Sequence, residues 1–321
     1  MPDLSVRLGP LRLEHPVINA SGTMEIFELA EVLGSHIIEK PPVAAYVPKT
    51  VTLEPRSGNP APLILETAGG MINAIGLPGP GLQEFVEREL PRLLALSCPV
   101  IVSIGGFSGR EYVSLAAGLR EALERSAEAS WTARVGLELN VSCPNVHSGC
   151  ASIGADATET GGVVMAVRGI WPGLLVAKLT PNVTDIAAIG RAAAAAGADA
   201  IAAVNTFKGM TLDRQTLRPY LGNVTGGLSG PAIKPLALRA VYELFAAVDI
   251  PIIGMGGIAT VQDVLEFISC GATVVAVGSA AFRDPCLARG LSTGLEGALE
   301  DRHTTLRELI GLAHLAPLTS T

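Results

Sequence analysis

Short apolar runs and amphipathic stretches alternate along the chain. The apolar runs, such as VIVSI ending at Ile104 and IAAVN ending at Asn205, are continuous and do not alternate with polar residues. Continuous runs are typical of strands that are buried on both faces of a parallel sheet. Eight such strands are predicted, and they end near Ala20, Val47, Ile104, Asn140, Leu179, Asn205, Gly254 and Val277.

Amphipathic helical stretches follow most of the predicted strands. The segment Pro181–Asp185 has the polar residues and the proline that are typical of a helix start. The predicted helices span Leu82–Leu96, Gly109–Ser126, Val183–Ala196, Pro231–Ala247 and Thr260–Ile268.

Eight strand–helix units in 321 residues favour an α/β fold of the (β/α)8 TIM-barrel type, in a single domain that spans residues 1–321. The alternative is an open, Rossmann-like parallel sheet. Two connections, Lys49–Gly81 and Thr206–Gly230, are longer than a barrel needs. We expect them to be loops inserted at the carboxyl end of the strands, where long loops usually serve as lids or bind ligands.

Composition and charge exclude several classes of function. Hydrophobic residues make up 49% of the chain and charged residues 17%, which allows a large core and argues against disorder. The formal net charge of −7 argues against a nucleic-acid-binding protein, and equally against binding to an anionic membrane surface.

The mean hydropathy of +0.43 raises the question of a membrane segment. The most apolar stretch, Ile186–Val204, is interrupted by Arg191 and Asp199. No window offers the roughly 20 uninterrupted apolar residues that a membrane-spanning helix needs. The charged amino-terminal residues do not resemble a signal peptide, and we expect a cytoplasmic protein.

The cysteines do not indicate a disulfide framework, a zinc site or an iron–sulfur cluster. They are odd in number, far apart in sequence and never in CxxC spacing, which also fits a reducing compartment. The five positions are Cys98, Cys143, Cys150, Cys270 and Cys286.

Polar residues collect where the predicted strands end. In a barrel the carboxyl ends of the strands meet at one mouth, where the chemistry takes place. Lys178 closes the apolar run VAKL, and an unpaired ammonium would be costly to bury there. We therefore expect Lys178 to face an anion or an electron-rich ring.

The run Gly254–Ala259 formally matches the dinucleotide motif GxGxxG/A, but that motif alone is weak evidence. The next strand ends in Gly278 and Ser279 without the acidic residue that a dinucleotide site needs. Barrel loops after the seventh and eighth strands commonly hold a phosphate. Backbone N–H groups at Gly256, Gly257, Gly278 and Ser279 therefore predict a site for a phosphorylated ligand or cofactor.

The segment Asn140–Asn145 surrounds Cys143 with polar residues just past a strand end. A lone cysteine is more often an inert apolar residue, so the residues alone leave both interpretations open. His147 lies four positions further on and is not a convincing partner for a Cys–His pair. If Cys143 is reactive, a proton-transfer role is favoured over nucleophilic attack.

Together these motifs resemble the soluble class 1 dihydroorotate dehydrogenases, and most closely the class 1B branch. The resemblance runs from Val17 to Asp284, with nine segments in the family's order and spacing. They are NASGT at Asn19, KTVTLEPRSGNP at Lys49, NAIGLPGPG at Asn73, NVSCPNV at Asn140, KLTPNVTD at Lys178, NT at Asn205, GGLSGPAIKPLAL at Gly226, PIIGMGGI at Pro251 and AVGSA at Ala276.

The resemblance implies an FMN-binding barrel that oxidises dihydroorotate to orotate in pyrimidine synthesis. It places the flavin phosphate on the glycines of the last two strands and implies that the remaining flavin contacts come from the other strand ends. The cofactor-binding residues that it implies are Ser21, Lys49, Thr50, Ser103, Asn140, Lys178, Val204, Gly230, Gly256, Gly257, Gly278 and Ser279.

For the substrate, the resemblance implies contacts from a lysine and from amide side chains that match the donors and acceptors of a pyrimidine ring. These residues are Lys49, Asn73, Ala74, Ile75, Gly76, Leu77, Asn140, Asn205 and Thr206. It further implies that Cys143 takes the C5 proton as general base while FMN accepts the C6 hydride. An unperturbed thiol has a pKa of about 8.5, so activity is expected to rise with pH unless the site lowers that value.

The class 1B branch also implies partners. The chain shows neither a credible NAD site nor a cysteine cluster of its own, and the branch uses a second subunit carrying FAD and a [2Fe–2S] cluster. On the same ground we expect a homodimer of this chain, which binds two such subunits to form a heterotetramer. One departure concerns the flavin, because Ser103 stands where the family often has asparagine.

Two alternatives remain open at this stage. A dihydropyrimidine dehydrogenase-type reductase of uracil or thymine has similar chemistry, but Lys49 suits the carboxylate of orotate, which uracil lacks. A phosphate-binding barrel without redox chemistry, such as an isomerase, is the alternative from another class, and a colourless protein that cannot be reconstituted with FMN would favour it.

Overall fold

The computed structural model describes residues 2–126, 130–142 and 153–315. Within those residues, seven parallel strands form the central sheet in the order β3-β13-β12-β9-β8-β7-β6 of the strands defined here. The strands in chain order are β1 (Val6–Leu8), β2 (Leu11–Leu13), β3 (Val17–Asn19), β4 (Ile64–Thr67), β5 (Gly70–Asn73), β6 (Val100–Ile104), β7 (Val135–Asn140), β8 (Leu175–Lys178), β9 (Ala200–Ala203), β10 (Phe207–Met210), β11 (Thr225–Ser229), β12 (Ile252–Met255) and β13 (Val274–Val277).

The segment Val43–Val47 closes this sheet into a barrel. On one side the Ala44 N–H donates to the Val17 carbonyl at 3.0 Å, and on the other Tyr46 forms a parallel bridge with Val100. The Asn19 side chain adds two hydrogen bonds to the Val47 backbone, at 2.7 Å and 2.9 Å. Both edges of the sheet therefore bind one segment, which confirms the predicted (β/α)8 barrel and excludes the open-sheet alternative.

Helices lie between the barrel strands and pack on their outer faces. In chain order they are α1 (Ile26–Leu33), α2 (His36–Glu39), α3 (Gly81–Glu84), α4 (Leu90–Leu94), α5 (Gly109–Arg125), α6 (Ala157–Arg168), α7 (Ile186–Ala195), α8 (Lys234–Phe245), α9 (Val261–Ser269), α10 (Leu287–Asp301) and α11 (Leu306–Leu309). A π turn, Phe85–Glu89, joins α3 to α4, and short 3-10 turns cover Trp131–Ala133, Ile153–Ala155, Pro231–Ile233, Ser279–Phe282 and Leu312–His314.

The five predicted helices are confirmed, with boundaries shifted by a few residues. The predicted start at Pro181–Asp185 places α7 one turn too early, because Asp185 is its N-cap and accepts from the Ala188 N–H at 2.9 Å. The helix predicted over Leu82–Leu96 contains the π turn, which lets Pro91, lacking an N–H, sit in the first turn of α4.

The two long connections are inserted at the carboxyl end of the barrel strands, as expected, but they also contain strands, which the sequence did not indicate. They supply β4, β5, β10 and β11, which pair as a four-stranded antiparallel sheet in the order β10-β11-β5-β4. The pairing joins Asn73 of the first connection to Gly227 of the second. We call this the mouth sheet, because residues of its strands border the cavity at the carboxyl end of the barrel.

The opposite end of the barrel is covered by the hairpin β1–β2. Leu8, Leu11 and Leu13 are fully buried, and Gly9 lies close to Leu174 and Asp199 at the amino ends of β8 and β9. The barrel is therefore closed at this end by an apolar hairpin and open at the other end, beside the mouth sheet.

Among the described residues, no helix combines the length and the apolar character needed to cross a membrane.

Candidate functional site

A cavity of about 470 Å³ opens at the carboxyl ends of the barrel strands, beside the mouth sheet. The structure brings nearly all of the predicted site residues together around it, although they come from loops far apart in sequence. Those that line the cavity are Ser21, Lys49, Thr50, Asn73, Ala74, Ile75, Gly76, Leu77, Asn140, Lys178, Val204, Asn205, Thr206, Gly230, Gly256, Gly257, Gly278 and Ser279.

Two predicted site residues are not among them. Ser103 is fully buried on β6, one layer behind the cavity, and its hydroxyl lies 3.0 Å from Thr50 Oγ1. Cys143 lies outside the described residues. Its neighbour in sequence, Ser142, lines the cavity and donates to the Lys178 carbonyl at 3.0 Å.

One end of the cavity is a glycine cradle, formed by Gly256 and Gly257 after β12 and by Gly278 and Ser279 after β13. Gly256 and Gly257 have φ angles of +128° and +84°, which side chains rarely adopt. A Cβ on Gly257 would lie 2.8 Å from the Lys234 Cβ and 2.9 Å from the Gly230 carbonyl oxygen. The backbone there is free of side chains, as an anion held by N–H groups requires.

An ionic cluster supports the cradle from behind. Lys234 Nζ, at the start of α8, lies 2.6 Å from Asp263 and 2.9 Å from Glu266 on α9. Burial alone would raise the pKa of Asp263, but hydrogen bonds from Lys234, the Ala259 N–H and Thr260 outweigh burial and hold that pKa below its usual value. Asp263 also completes a capping box with Thr260, so the loop after β12 is tied to both helices.

The opposite end of the cavity carries cations and amides. Lys178 is 5% exposed and Asn140 is 7% exposed, and their strands pair so that the two residues are register partners. Asn205 Nδ2 donates to Asn140 Oδ1 at 3.2 Å. Lys49 lines the same cavity, at the end of the closing segment. This end is suited to a planar, acceptor-rich or anionic ligand.

Lys178 has an anionic partner within the protein. Glu138, two residues before Asn140 on β7, is 3% exposed and its Oε1 lies 3.7 Å from Lys178 Nζ. Breaking such a buried pair by removing one partner typically costs about 3–5 kcal/mol. The sequence contains the signal, since Glu138 interrupts the apolar run VGLELN as Lys178 interrupts VAKL, but we did not single it out.

A second acidic residue that the sequence analysis missed lies in the cavity wall. Glu25, the residue before α1, lines the cavity, and burial raises the pKa of its carboxyl while the Lys49 ammonium opposes that rise. Its sequence surroundings give no signal, because an acidic residue beside a helix start is common. Only the fold brings it near the strand-end lysine.

Comparison with known proteins gives a consistent result. The family model described as dihydroorotate dehydrogenase matches residues 3–299 of the chain.

Curated relatives cover nearly the whole chain. Proteins from Trichlorobacter lovleyi and Geotalea uraniireducens are each 44% identical, over 302 residues (94% of this chain and 95% of the relative) and 312 residues (97% and 98%) respectively. A protein from Desulforudis audaxviator is 45% identical over 311 residues, 97% of each chain. All three are named dihydroorotate dehydrogenase B (NAD(+)), catalytic subunit.

Proposed function

The chain belongs to the dihydroorotate dehydrogenase family, and from this premise we propose that it oxidises (S)-dihydroorotate to orotate in pyrimidine biosynthesis, with FMN as its cofactor and residues 1–321 as a single FMN-binding domain. One observation carries the proposal. One cavity is lined both by a side-chain-free glycine cradle and by the lysines and asparagines of the strand ends.

The residues of the cradle fit the phosphate of FMN. Phosphate groups bind where several backbone N–H groups converge without side chains in the way, often beside the start of a helix or 3-10 turn. Gly256, Gly257, Gly278 and Ser279 supply such groups, and the turn Ser279–Phe282 follows at once. Gly230 borders the same end of the cavity.

Further along the cavity, the remaining side chains would hold the flavin ring. Ser21, Thr50 and Val204 line this part, and Ser103 would act through Thr50. When bound, FMN supplies a hydride acceptor, and a nearby cation favours its reduced, anionic form. We assign that cation to Lys178, which lines the cavity.

The substrate would occupy the amide-rich end. Lys49 would hold the substrate carboxylate, and the side chains of Asn140 and Asn205 would bind the polar edges of the pyrimidine ring. Thr206 and the mouth-sheet segment Asn73–Leu77 complete this wall. A uracil reductase would have less use for Lys49, since uracil has no carboxylate to bind there.

The oxidation removes a proton from C5 and a hydride from C6 of dihydroorotate. We assign this proton to Cys143, whose thiolate would accept it as general base. Support comes from the sequence, where Cys143 follows the cavity-lining Ser142 inside the family-like segment NVSCPNV.

The names of the relatives bear on the fate of the electrons. They are called NAD(+)-linked catalytic subunits, which supports a separate electron-transfer subunit for this chain as well. We assign FAD and a [2Fe–2S] cluster to that subunit. A homodimer of this chain forms the core of the complex, with two such subunits bound, in the cytoplasm.

Anaerobic titration of the purified, FMN-loaded protein with dihydroorotate tests the proposal. We expect the flavin absorbance near 450 nm, roughly where oxidised flavins absorb, to bleach in proportion to the dihydroorotate added. Dihydrouracil is the matched control ligand and should bleach the flavin poorly. Retention of full colour with dihydroorotate, or equal bleaching by dihydrouracil, would count against the assignment.

A further inference from the structure

Five side chains form one continuous chain of hydrogen bonds from the barrel interior to the cavity. Ser103 Oγ lies 2.8 Å from Glu138 Oε1, and Thr50 Oγ1 lies 3.0 Å from Ser103 Oγ. Asn140 Nδ2 lies 3.2 Å from Thr50 Oγ1, and Asn205 Nδ2 lies 3.2 Å from Asn140 Oδ1. We call this set the Glu138 chain. Its first four members are each less than 8% exposed, so water competes little for these bonds.

The carboxylate end of the Glu138 chain fixes its direction. An ionised carboxylate only accepts hydrogen bonds, and the Glu138 carboxylate forms an ion pair with the Lys178 ammonium at 3.7 Å. Ser103 must therefore donate to Glu138, which leaves its oxygen to accept from Thr50. Thr50 has then used its hydrogen, so Asn140 must present its NH2 group to Thr50 and its oxygen to Asn205.

The other end of the chain independently fixes the same direction. The Thr206 backbone N–H lies 2.8 Å from the Asn205 side chain, and a backbone N–H can only donate. Asn205 must therefore turn its oxygen toward Thr206 and its NH2 group toward Asn140. The two ends agree, so the orientation of both asparagine amides is determined.

This direction decides what the cavity offers to a ligand. Within the described contacts, Asn140 and Asn205 each use one of their two amide hydrogens, which leaves one N–H on each for a bound molecule. Both residues line the cavity together with the ammonium groups of Lys49 and Lys178. The substrate end of the cavity therefore offers several donors, which suit a ligand that presents carbonyl and carboxylate oxygens.

From this geometry we infer that Glu138 is a positioning residue that holds the cavity amides in their donor-presenting orientation and balances the charge of Lys178. It does not line the cavity, and acts through Ser103 and Thr50 on one side and through Lys178 on the other. The inference rests on the proposed function, because it assigns how that same site selects an acceptor-rich pyrimidine carboxylate.

Two variants separate the two roles of Glu138. Glu138→Gln removes the charge and keeps the size and an accepting oxygen, whereas Ser103→Ala keeps the charge and cuts the hydrogen-bond chain. Glu124→Gln on the outer face of α5 is the matched control, since that residue pairs only with Arg120 among the described ion pairs. The measurements on FMN-loaded protein are the flavin reduction potential and the dissociation constant of orotate, followed by flavin absorbance.

Glu138→Gln should move the flavin reduction potential to a more positive value, because Lys178 then stabilises the reduced flavin without a counter-charge. Ser103→Ala should leave the potential where it is. Ser103→Ala should weaken orotate binding about fivefold to tenfold, the effect of about one hydrogen bond, whereas Glu138→Gln, which keeps an oxygen that accepts from Ser103, should not. Glu124→Gln should match the wild type in both measurements.

An unchanged potential in folded Glu138→Gln protein, or wild-type orotate affinity in folded Ser103→Ala protein, would overturn the inference. If Glu138→Gln fails to fold, Ser103→Ala still tests the direction of the chain. The proposed function fails differently: wild-type protein would then bind FMN yet show no bleaching with dihydroorotate, whatever the variants do.

Discussion

Gly257→Ala tests whether the glycine cradle binds the cofactor phosphate. The new Cβ would sit on a backbone with φ of +84°, which costs an ordinary residue about 1–2 kcal/mol. It would also lie 2.8 Å from the Lys234 Cβ, which cannot easily withdraw because its ammonium is held by Asp263 and Glu266. Forcing such contacts costs about 1–3 kcal/mol more.

We expect the loop after β12 to relieve this strain by turning its N–H groups away from the cavity. If this whole cost of about 2–5 kcal/mol is lost from phosphate binding, the dissociation constant for FMN rises roughly 30-fold to 4000-fold. The assay is fluorescence titration of apoprotein with FMN, alongside thermal unfolding. Gly297→Ala is the control, because a Cβ on that α10 glycine meets nothing within 4 Å.

We expect Gly297→Ala to bind FMN like the wild type. If Gly257→Ala also bound FMN with wild-type affinity, while remaining folded with an unchanged unfolding temperature, the cradle would not be the phosphate site.

Three further predictions concern the substrate end of the cavity. Cys143→Ala should bind FMN normally but reduce it with dihydroorotate at least about 100-fold more slowly, the usual range for a lost general base; rapid-mixing absorbance measures this, and an unchanged rate would remove the assignment. Lys49→Ala should weaken orotate binding about tenfold or more while FMN affinity stays constant, as expected for a lost charge-assisted bond; equal losses for both ligands would contradict the carboxylate role. Burial, partly opposed by Lys49, raises the pKa of Glu25, so acid protonates Glu25 more readily and removes its repulsion of a carboxylate ligand. Orotate binding should therefore tighten as the pH falls, and Glu25→Gln should flatten that dependence. An equally steep pH profile of orotate binding in the variant would refute this reasoning.

The barrel could be predicted from the sequence because each of its strands is a continuous apolar run. The runs ending at Asn140 and Asn205 need no partner to be recognised, since burial on both faces dictates their composition. The convergence of the site residues follows from the same rule, because parallel strands carry their carboxyl ends to one mouth.

The mouth sheet could not be predicted in the same way. β5 (GMIN) and β11 (TGGLS) are short, rich in glycine and mostly half-buried, so neither has the composition of a strand. They pair across more than 150 positions of sequence, joining Asn73 to Gly227. Their structure comes from each other and from the barrel mouth beneath them, which local patterns do not contain.

The site was predictable as a set of residues but not as a network. Lys178 could be identified as a buried cation, yet its partner Glu138 lies on the neighbouring strand, and only the register of β7 against β8 relates them. The directed hydrogen bonds through Thr50 and Asn140 likewise depend on distances between loops. The sequence reveals which chemical groups are present, whereas the fold determines which of them donate and which accept hydrogen bonds.

A crystal structure of the protein with FMN and orotate bound tests the central claim most directly. The account predicts both molecules in the one cavity, with the phosphate against Gly256, Gly257, Gly278 and Ser279, and with acceptor oxygens of orotate facing the amide N–H groups of Asn140 and Asn205. A phosphate bound elsewhere, or an orotate whose oxygens face neither of those amide N–H groups, would contradict it.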